Sequence, residues 1–260
     1  MSDLNSMFNS DSFSDKVDLF GGMFSDAAFV DKVLKIAEGY EWAMVRDKSG
    51  SMHMGGSNDT PIVRKVQKNG FFGGSRNEYM YRDEAVSYLV GSIVDIFLKN
   101  DPAPDLGWFD HQHEYFTDCD PESRAYSKFM DIQAGGGTSI RGVVRAAYNA
   151  HQQRKRSGEY EKSGKKGMFL LVFLDGDADD REAFKNDVRE YSRGIQNPTE
   201  FHILFVKVGR ESLEAYFQEL DELSGTMHDI ISYTNLDNLV RLPGGLGQIL
   251  IDLVLKLNKG

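Results

Sequence analysis

The chain is poor in cysteine, proline and tryptophan, and it has no long apolar run. The single cysteine, Cys119, excludes an internal disulfide framework, and two tryptophans and six prolines in 260 residues are few. The longest apolar stretch, Met168–Leu174, is far shorter than the roughly 20 residues a membrane span needs. The first residues, MSDLNSMFNSDSFSDK, carry neither a basic start nor an apolar core, so no secretory signal peptide is expected. Positive charge is also in deficit: 30 basic against 40 acidic side chains give a formal charge of −10. Such a field repels phosphate backbones and anionic lipid, so neither nucleic acid nor a membrane is an expected partner. These absences point to a reducing cytoplasm. What remains is an ordinary globular composition, 40% hydrophobic and 27% charged, in a chain long enough for one sizeable core.

Periodicity divides that chain into alternating strands and helices. Residues 1–24 are rich in Ser, Asp and Asn and read as a polar, flexible tail ahead of one domain over 25–260. Ser25-Asp26 is placed to cap a helix running to about Ala37, with Phe29, Val33 and Ile36 on one side. Residues 41–46 read as the first core strand. The glycine-rich, polar segment 52–80 reads as an inserted loop or hairpin, with Ile62–Val66 its strand. From Asp83 to about Lys99, Val86, Leu89, Val90, Ile93, Val94 and Phe97 recur at helical spacing. Short strands follow near 106–109 and 114–117, then a helix with Ile140, Val143, Val144, Ala147 and Tyr148. Met168–Leu174 lacks alternation, as a parallel strand covered on both faces should. Helix at about 181–193, strand at 201–208, helix at about 211–223, strand at 230–233 and a closing helix through Leu246 to Leu257 complete the pattern. It predicts an α/β fold with a Rossmann-like, doubly wound, mostly parallel sheet flanked by helices.

In such a sheet, ligands sit at loops following the carboxyl ends of strands. Three of these loops offer oxygen side chains. Asp47-Lys48-Ser49-Gly50-Ser51 follows the first strand, and its carboxylate and two hydroxyls at alternating positions can turn toward one point. Oxygen-only donors suit a hard dication: Mg²⁺ first, with Mn²⁺ or Ca²⁺ as alternatives. Taken alone the same residues also fit a turn or helix cap. Gly135-Gly136-Gly137-Thr138 supplies a hydroxyl after three glycines that let the backbone pass close to an ion. Asp175-Gly176 follows the long apolar strand, with the glycine suited to a tight turn.

Together these residues resemble the von Willebrand factor A domain and its metal-ion-dependent adhesion site, over about residues 40–260. Asp47, Ser49 and Ser51 match its D-x-S-x-S motif, Thr138 its threonine and Asp175 its later aspartate. The resemblance implies a metal-dependent adaptor rather than an enzyme. One divalent ion would be held by those five residues and completed by an Asp or Glu of a protein partner. Without a signal peptide, the chain looks most like bacterial stand-alone members, including those found with tellurite-resistance proteins. Arg46 departs from the family's apolar strand end, and strand alternation should direct it away or into a pair with an acidic side chain. The 52–80 insertion is longer than usual. Its Arg64, Lys65, Lys68 and Arg76 form either a solvated loop or a flap that selects an acidic partner.

Parts of the sequence also suit other chemistries. Asp175-Gly-Asp177 after an apolar strand also suits a haloacid-dehalogenase-like phosphatase, with Asp175 as nucleophile and Asp177 as general acid. A purely structural assembly subunit is the third class. Asp175-Gly-Asp177-Ala-Asp179 begins like an EF-hand loop but lacks its glycine and glutamate. His111, His113 and Cys119 lack zinc-site spacing. Asp179-Asp180 is expected to cap the helix that follows it. Phe71-Phe72 should pack the insertion.

Overall fold

The computed structural model describes residues 27–53, 59–67, 75–97, 103–131, 135–209, 214–241 and 245–257. The tail 1–24, the Ser25-Asp26 cap, Lys68 and Phe71-Phe72 lie outside the described residues.

The three most apolar strands lie at the middle of one sheet. They are β1 (Glu41–Asp47), β6 (Met168–Leu174) and β7 (Phe201–Lys207), and every residue of β6 and β7 is buried. Strands β4 (Asp105–Phe109), β5 (His113–Phe116) and β8 (Ile231–Asn235) complete the order β5-β4-β1-β6-β7-β8. All pairs are parallel except β4–β5. The chain therefore runs outward from β1 through β4 to β5, then crosses back to β6, β7 and β8. The strand order reverses between β1 and β6, so the loops leaving these two neighbours diverge and open a crevice.

Alternation along the strands feeds two cores. Trp42, Met44, Phe169, Leu171, Phe173, Leu204 and Val206 pack with α1 (Ala27–Glu38), α2 (Arg82–Phe97) and α9 (Gly245–Leu257). Ala43, Val45, Leu170, Val172, Leu174, Ile203 and Phe205 pack with α4 (Arg141–Ser157), α6 (Arg181–Gly194) and α7 (Glu214–Asp221). This is the α/β, Rossmann-like, doubly wound arrangement the periodicity predicted. Three short helices were not foreseen: α3 (Arg124–Met130), α5 (Glu159–Ser163) and α8 (Leu236–Arg241). The insertion contains an antiparallel hairpin of β2 (Val63–Gln67) and β3 (Ser75–Tyr79). Among the described residues, no helix is long and apolar enough to cross a membrane.

Two buried imidazoles make the fold acid-sensitive. His202 on β7 is fully buried with Nε2 3.2 Å from Ser232 Oγ, and its Nδ1 has no partner among the described residues. Burial, reinforced by Lys256, pushes it down to about 3. His151 on α4 lies 2.9 Å from Tyr160 Oη, and burial holds it well below the usual range despite Glu200 nearby. In the unfolded chain both imidazoles take a proton near pH 6.5. The unfolded state thus binds more protons below that pH, and stability falls as pH drops toward the folded values. Each group should cost about 1.4 kcal/mol per pH unit over this window. Denaturant titrations from pH 7 to 4 are expected to show a steadily falling midpoint, less steep in His202→Gln; a flat midpoint would contradict it.

Candidate metal centre

At the end of β1, alternation sends Arg46 and Asp47 to opposite faces. Arg46 is completely buried toward α2 and α3, donating to Ser87 Oγ (2.6 Å), the Asp83 carbonyl (3.0 Å) and the Phe129 carbonyl (3.3 Å). It is directed away from the site, as expected, but its hydrogen bonds go to backbone carbonyls and a hydroxyl rather than to an acidic side chain. Burial lowers it to about 10, with Asp83, Asp47 and Asp131 opposing.

Asp47 is also completely buried, and the chain turns sharply after it. The Ser49 N–H donates to Asp47 Oδ1 at 2.6 Å, folding the loop back over the carboxylate into a short helical turn, Gly50–His53. Buried Met52 anchors that turn in the core. Ser49 Oγ and Ser51 Oγ are 2.9 Å apart, and Ser51 Oγ donates to Asp175 Oδ1 at 3.0 Å. A string of oxygens thus joins the loop after β1 to the loop after β6, across the point of strand reversal.

Thr138 approaches from the third loop. Gly135 N–H donates to the Lys48 carbonyl (2.7 Å) and Gly50 N–H to the Gly136 carbonyl (3.4 Å), so this loop lies against the first. Thr138 N–H donates to Asp179 Oδ2 (2.9 Å), and Asp179 N–H donates back to the Thr138 carbonyl (2.7 Å). Two of the three glycines are closely approached by side chains, and one has a left-handed backbone. A Cβ on Gly137 would stand 2.6 Å from Asp179 Oδ2, and Gly136 has a φ of +92° with His111 Nδ1 2.4 Å from its would-be Cβ. These glycines admit a carboxylate and an imidazole. Gly176, by contrast, has open space at its Cβ position and no positive φ, so the turn after Asp175 does not require glycine.

The expected cap on α6 is corrected. Asp180 makes no side-chain cap bond to its own helix. Its carboxylate instead accepts from Ser139 Oγ (2.7 Å), Ile140 N–H (3.2 Å) and Arg141 N–H (3.0 Å), capping the start of α4. Asp179 and Asp180 together therefore tie the threonine loop to the β6 loop.

Two partners of the site escaped sequence reasoning. Arg82, the first residue of α2, donates from Nη1 to Asp175 Oδ2 (2.6 Å) and from Nε to Asp59 Oδ2 (2.6 Å). His53 Nδ1 lies 2.9 Å from the buried carboxylate of Asp83, and its ring stacks on Tyr81 at 5.3 Å. The acidic helix start Asp83-Glu84 signalled the helix but not the arginine's reach. Asp177 pairs with Arg181 at 2.8 Å. Of the basic insertion residues, Arg64 and Lys65 lie on β2 opposite Glu78 and Asn77, and Arg76 lies on β3 opposite Val66.

Does the oxygen string fit a dication? Asp47 Oδ2 is buried and accepts no hydrogen bond among the described residues. Burial, added to by Asp175, raises this carboxyl to about 7, against the opposing Ser49 N–H and Arg46. A carboxyl in that position either holds a proton or, when ionised, takes a positive partner. Neighbouring ligands of an octahedral ion with bonds of about 2.0–2.1 Å stand about 2.9 Å apart. The 2.9 and 3.0 Å spacings along Ser49, Ser51 and Asp175 have this length. The donor set fits a hard dication. Among the described residues no three His, Cys, Asp or Glu side chains form a group that could hold a metal ion. Lys48 is no substitute counter-charge: its Nζ donates to the Lys128 carbonyl at 3.0 Å, over Trp108. Burial and Arg46 lower it to about 8.

Neither models of known protein families nor the curated proteins contain a match to this chain.

Proposed function

We propose that this protein is a divalent-metal-dependent protein-binding module of the von Willebrand factor A type. Asp47 and Asp175 supply charge, Ser49 and Ser51 supply neutral oxygens, and Thr138 stands on the adjoining loop. The observation that carries this reading is the buried, unpartnered Oδ2 of Asp47 at the head of a chain of oxygens. The ion, Mg²⁺ first and Mn²⁺ or Ca²⁺ as alternatives, supplies positive charge and open positions for an incoming ligand. An Asp or Glu side chain of a protein partner suits those positions, because a site with only two carboxylates still attracts a third. The hairpin strands bearing Arg64, Lys65 and Arg76 would add attraction for an acidic surface. Binding fits better than phosphoryl transfer, since Asp177, the general acid that reaction would need, is paired with Arg181 at 2.8 Å. A bacterial setting near tellurite-resistance proteins belongs to the same proposal and rests on the motif resemblance, and a cytoplasmic one on the single cysteine and the composition.

Thermal unfolding with and without Mg²⁺ tests the site. At a hundredfold over its dissociation constant the ion should add about 2.7 kcal/mol. For a chain of this size that is a rise of roughly 5–10 °C. Asp47→Ala should remove it. No rise in the wild type, or an equal rise in the variant, would sink the assignment. Affinity capture with and without chelator then tests the adaptor role, and a partner retained in chelator would favour a purely structural subunit.

A further inference from the structure

Arg82 occupies an unusual place for a cation: against a carboxylate of a centre built for another cation. Its guanidinium reaches four segments. Nη1 donates to Asp175 Oδ2 at 2.6 Å and lies 3.5 Å from the Ser51 carbonyl. Nε and Nη2 donate to Asp59 Oδ2 (2.6 Å) and Oδ1 (3.3 Å), in the insertion. The loop after β7 closes on it: Gly209 has a φ of +85°, and a Cβ there would stand 2.5 Å from Arg82 Nε. Only 11% of the Arg82 side chain is exposed.

We infer that Arg82 is a positioning residue that sets the ion preference of the centre, by committing Oδ2 of Asp175 to the guanidinium and leaving one oxygen for the ion. This rests on the site reading above. With Oδ2 held by the guanidinium, Asp175 can offer only Oδ1, whose donor, the Ser51 hydroxyl, would turn its proton away when both oxygens face an ion. Asp47 is restricted in the same way, since its Oδ1 is taken by the Ser49 N–H and only Oδ2 is free. The chain thus presents one oxygen from each carboxylate and one from each serine hydroxyl, leaving two positions of an octahedron. Mg²⁺ and Mn²⁺ accept six single-oxygen ligands, whereas Ca²⁺ takes six to eight and uses carboxylates in bidentate fashion. Pinning both carboxylates at one oxygen penalises Ca²⁺. The positive charge of Arg82 repels either dication alike, so the ratio of the two affinities isolates the geometric effect from the electrostatic one.

The experiment measures dissociation constants of Mg²⁺ and Ca²⁺ from thermal-shift titrations of wild type, Arg82→Gln and Asp59→Asn. The wild type is expected to prefer Mg²⁺. Arg82→Gln should shift the ratio toward Ca²⁺ by about tenfold, equivalent to about 1.4 kcal/mol. Asp59→Asn, which loosens the guanidinium while leaving its Asp175 contact, should shift it in the same direction by less, and serves if Arg82→Gln does not fold. Affinities for both ions that move together, at the wild-type ratio, would overturn the role of Arg82 while leaving the centre intact. A wild type that binds neither ion would overturn the centre, and this inference with it.

Discussion

In chelator at pH 8, Asp47→Asn is expected to melt above the wild type, and it is expected to gain nothing from Mg²⁺. The first half follows from burial. The Asp47 carboxyl is raised from 3.8 to about 7 because its ionised form is desolvated and Oδ2 has no partner among the described residues. The folded state therefore holds this proton more tightly than the unfolded chain does. Between pH 4 and 7 the folded state binds more protons, so this group lowers stability as pH rises through the window. Above about pH 7 the penalty is fully developed. At about 1.4 kcal/mol per pH unit it has a ceiling of roughly 4 kcal/mol. An asparagine keeps the oxygen that accepts from Ser49 N–H and removes the charge, so a rise on the order of 5 °C is expected. Below about pH 4 wild type and variant should converge, because Asp47 is then neutral in both states. The second half follows from the proposed centre, where a neutral amide no longer matches a dication. A variant less stable than wild type at every pH would mean that Asp47 is satisfied by groups other than an ion.

The opposite response to pH separates this residue from the buried histidines. His202 and His151 favour the folded state less as pH falls, whereas Asp47 favours it less as pH rises. Metal-free wild type should therefore be most stable at mildly acidic to neutral pH, and Mg²⁺ should extend that maximum upward by relieving Asp47 alone.

Much of this was legible in sequence because the relevant physics is local or periodic. The run Met168–Leu174 needed no alternation, since a parallel strand with α4 on one side and α2 on the other has no wet face. The bend within D-x-S-x-S has a local cause, since an aspartate that accepts from the amide two residues on folds its own loop. That turn leaves the Ser49 and Ser51 hydroxyls 2.9 Å apart. Features set by distant contacts were not legible. Arg82 meets Asp175 across 93 positions, and nothing near Arg82 in the chain announces it. Asp180 stands where its own helix should use it, yet Ser139, Ile140 and Arg141 compete successfully because the threonine loop comes within reach. Helix α3 has only seven residues, and its apolar signal is the buried pair Phe129-Met130 behind a Ser123 cap. Strand β3, Ser-Arg-Asn-Glu-Tyr, has no apolar alternation, and it is defined by its pairing with β2.

The largest loss of stability should come from Arg154→Met, far from the centre. Arg154 on α4 is buried and grips the buried Asp105 of β4 with two bonds, Nη1 to Oδ2 at 2.6 Å and Nη2 to Oδ1 at 2.7 Å. It also reaches Asp118 (3.1 Å) and Glu159 (3.2 Å), so one guanidinium ties β4 and the segment after β5 to the start of α5. Asp105 keeps two further donors, Tyr115 Oη at 2.7 Å and Asp118 N–H at 3.0 Å, but neither carries charge. Methionine fills much of the volume and leaves the aspartate buried and uncompensated. Removing one partner of a buried ion pair costs about 3–5 kcal/mol. For a chain of this size that lowers the melting temperature by on the order of 10 °C. Arg154→Met combined with Asp105→Asn should recover part of the loss, because the stranded charge is then gone while the amide can still accept from Tyr115. A double variant as unstable as the sum of its singles would show that packing, not the orphaned carboxylate, carries the cost. Because α4 begins at the threonine loop and β4 lies beside β1, Mg²⁺ stabilisation measured on Arg154→Met asks a separate question. If the shift stays at the wild-type value, the ion centre depends on its own loops rather than on the rigidity of the sheet edge.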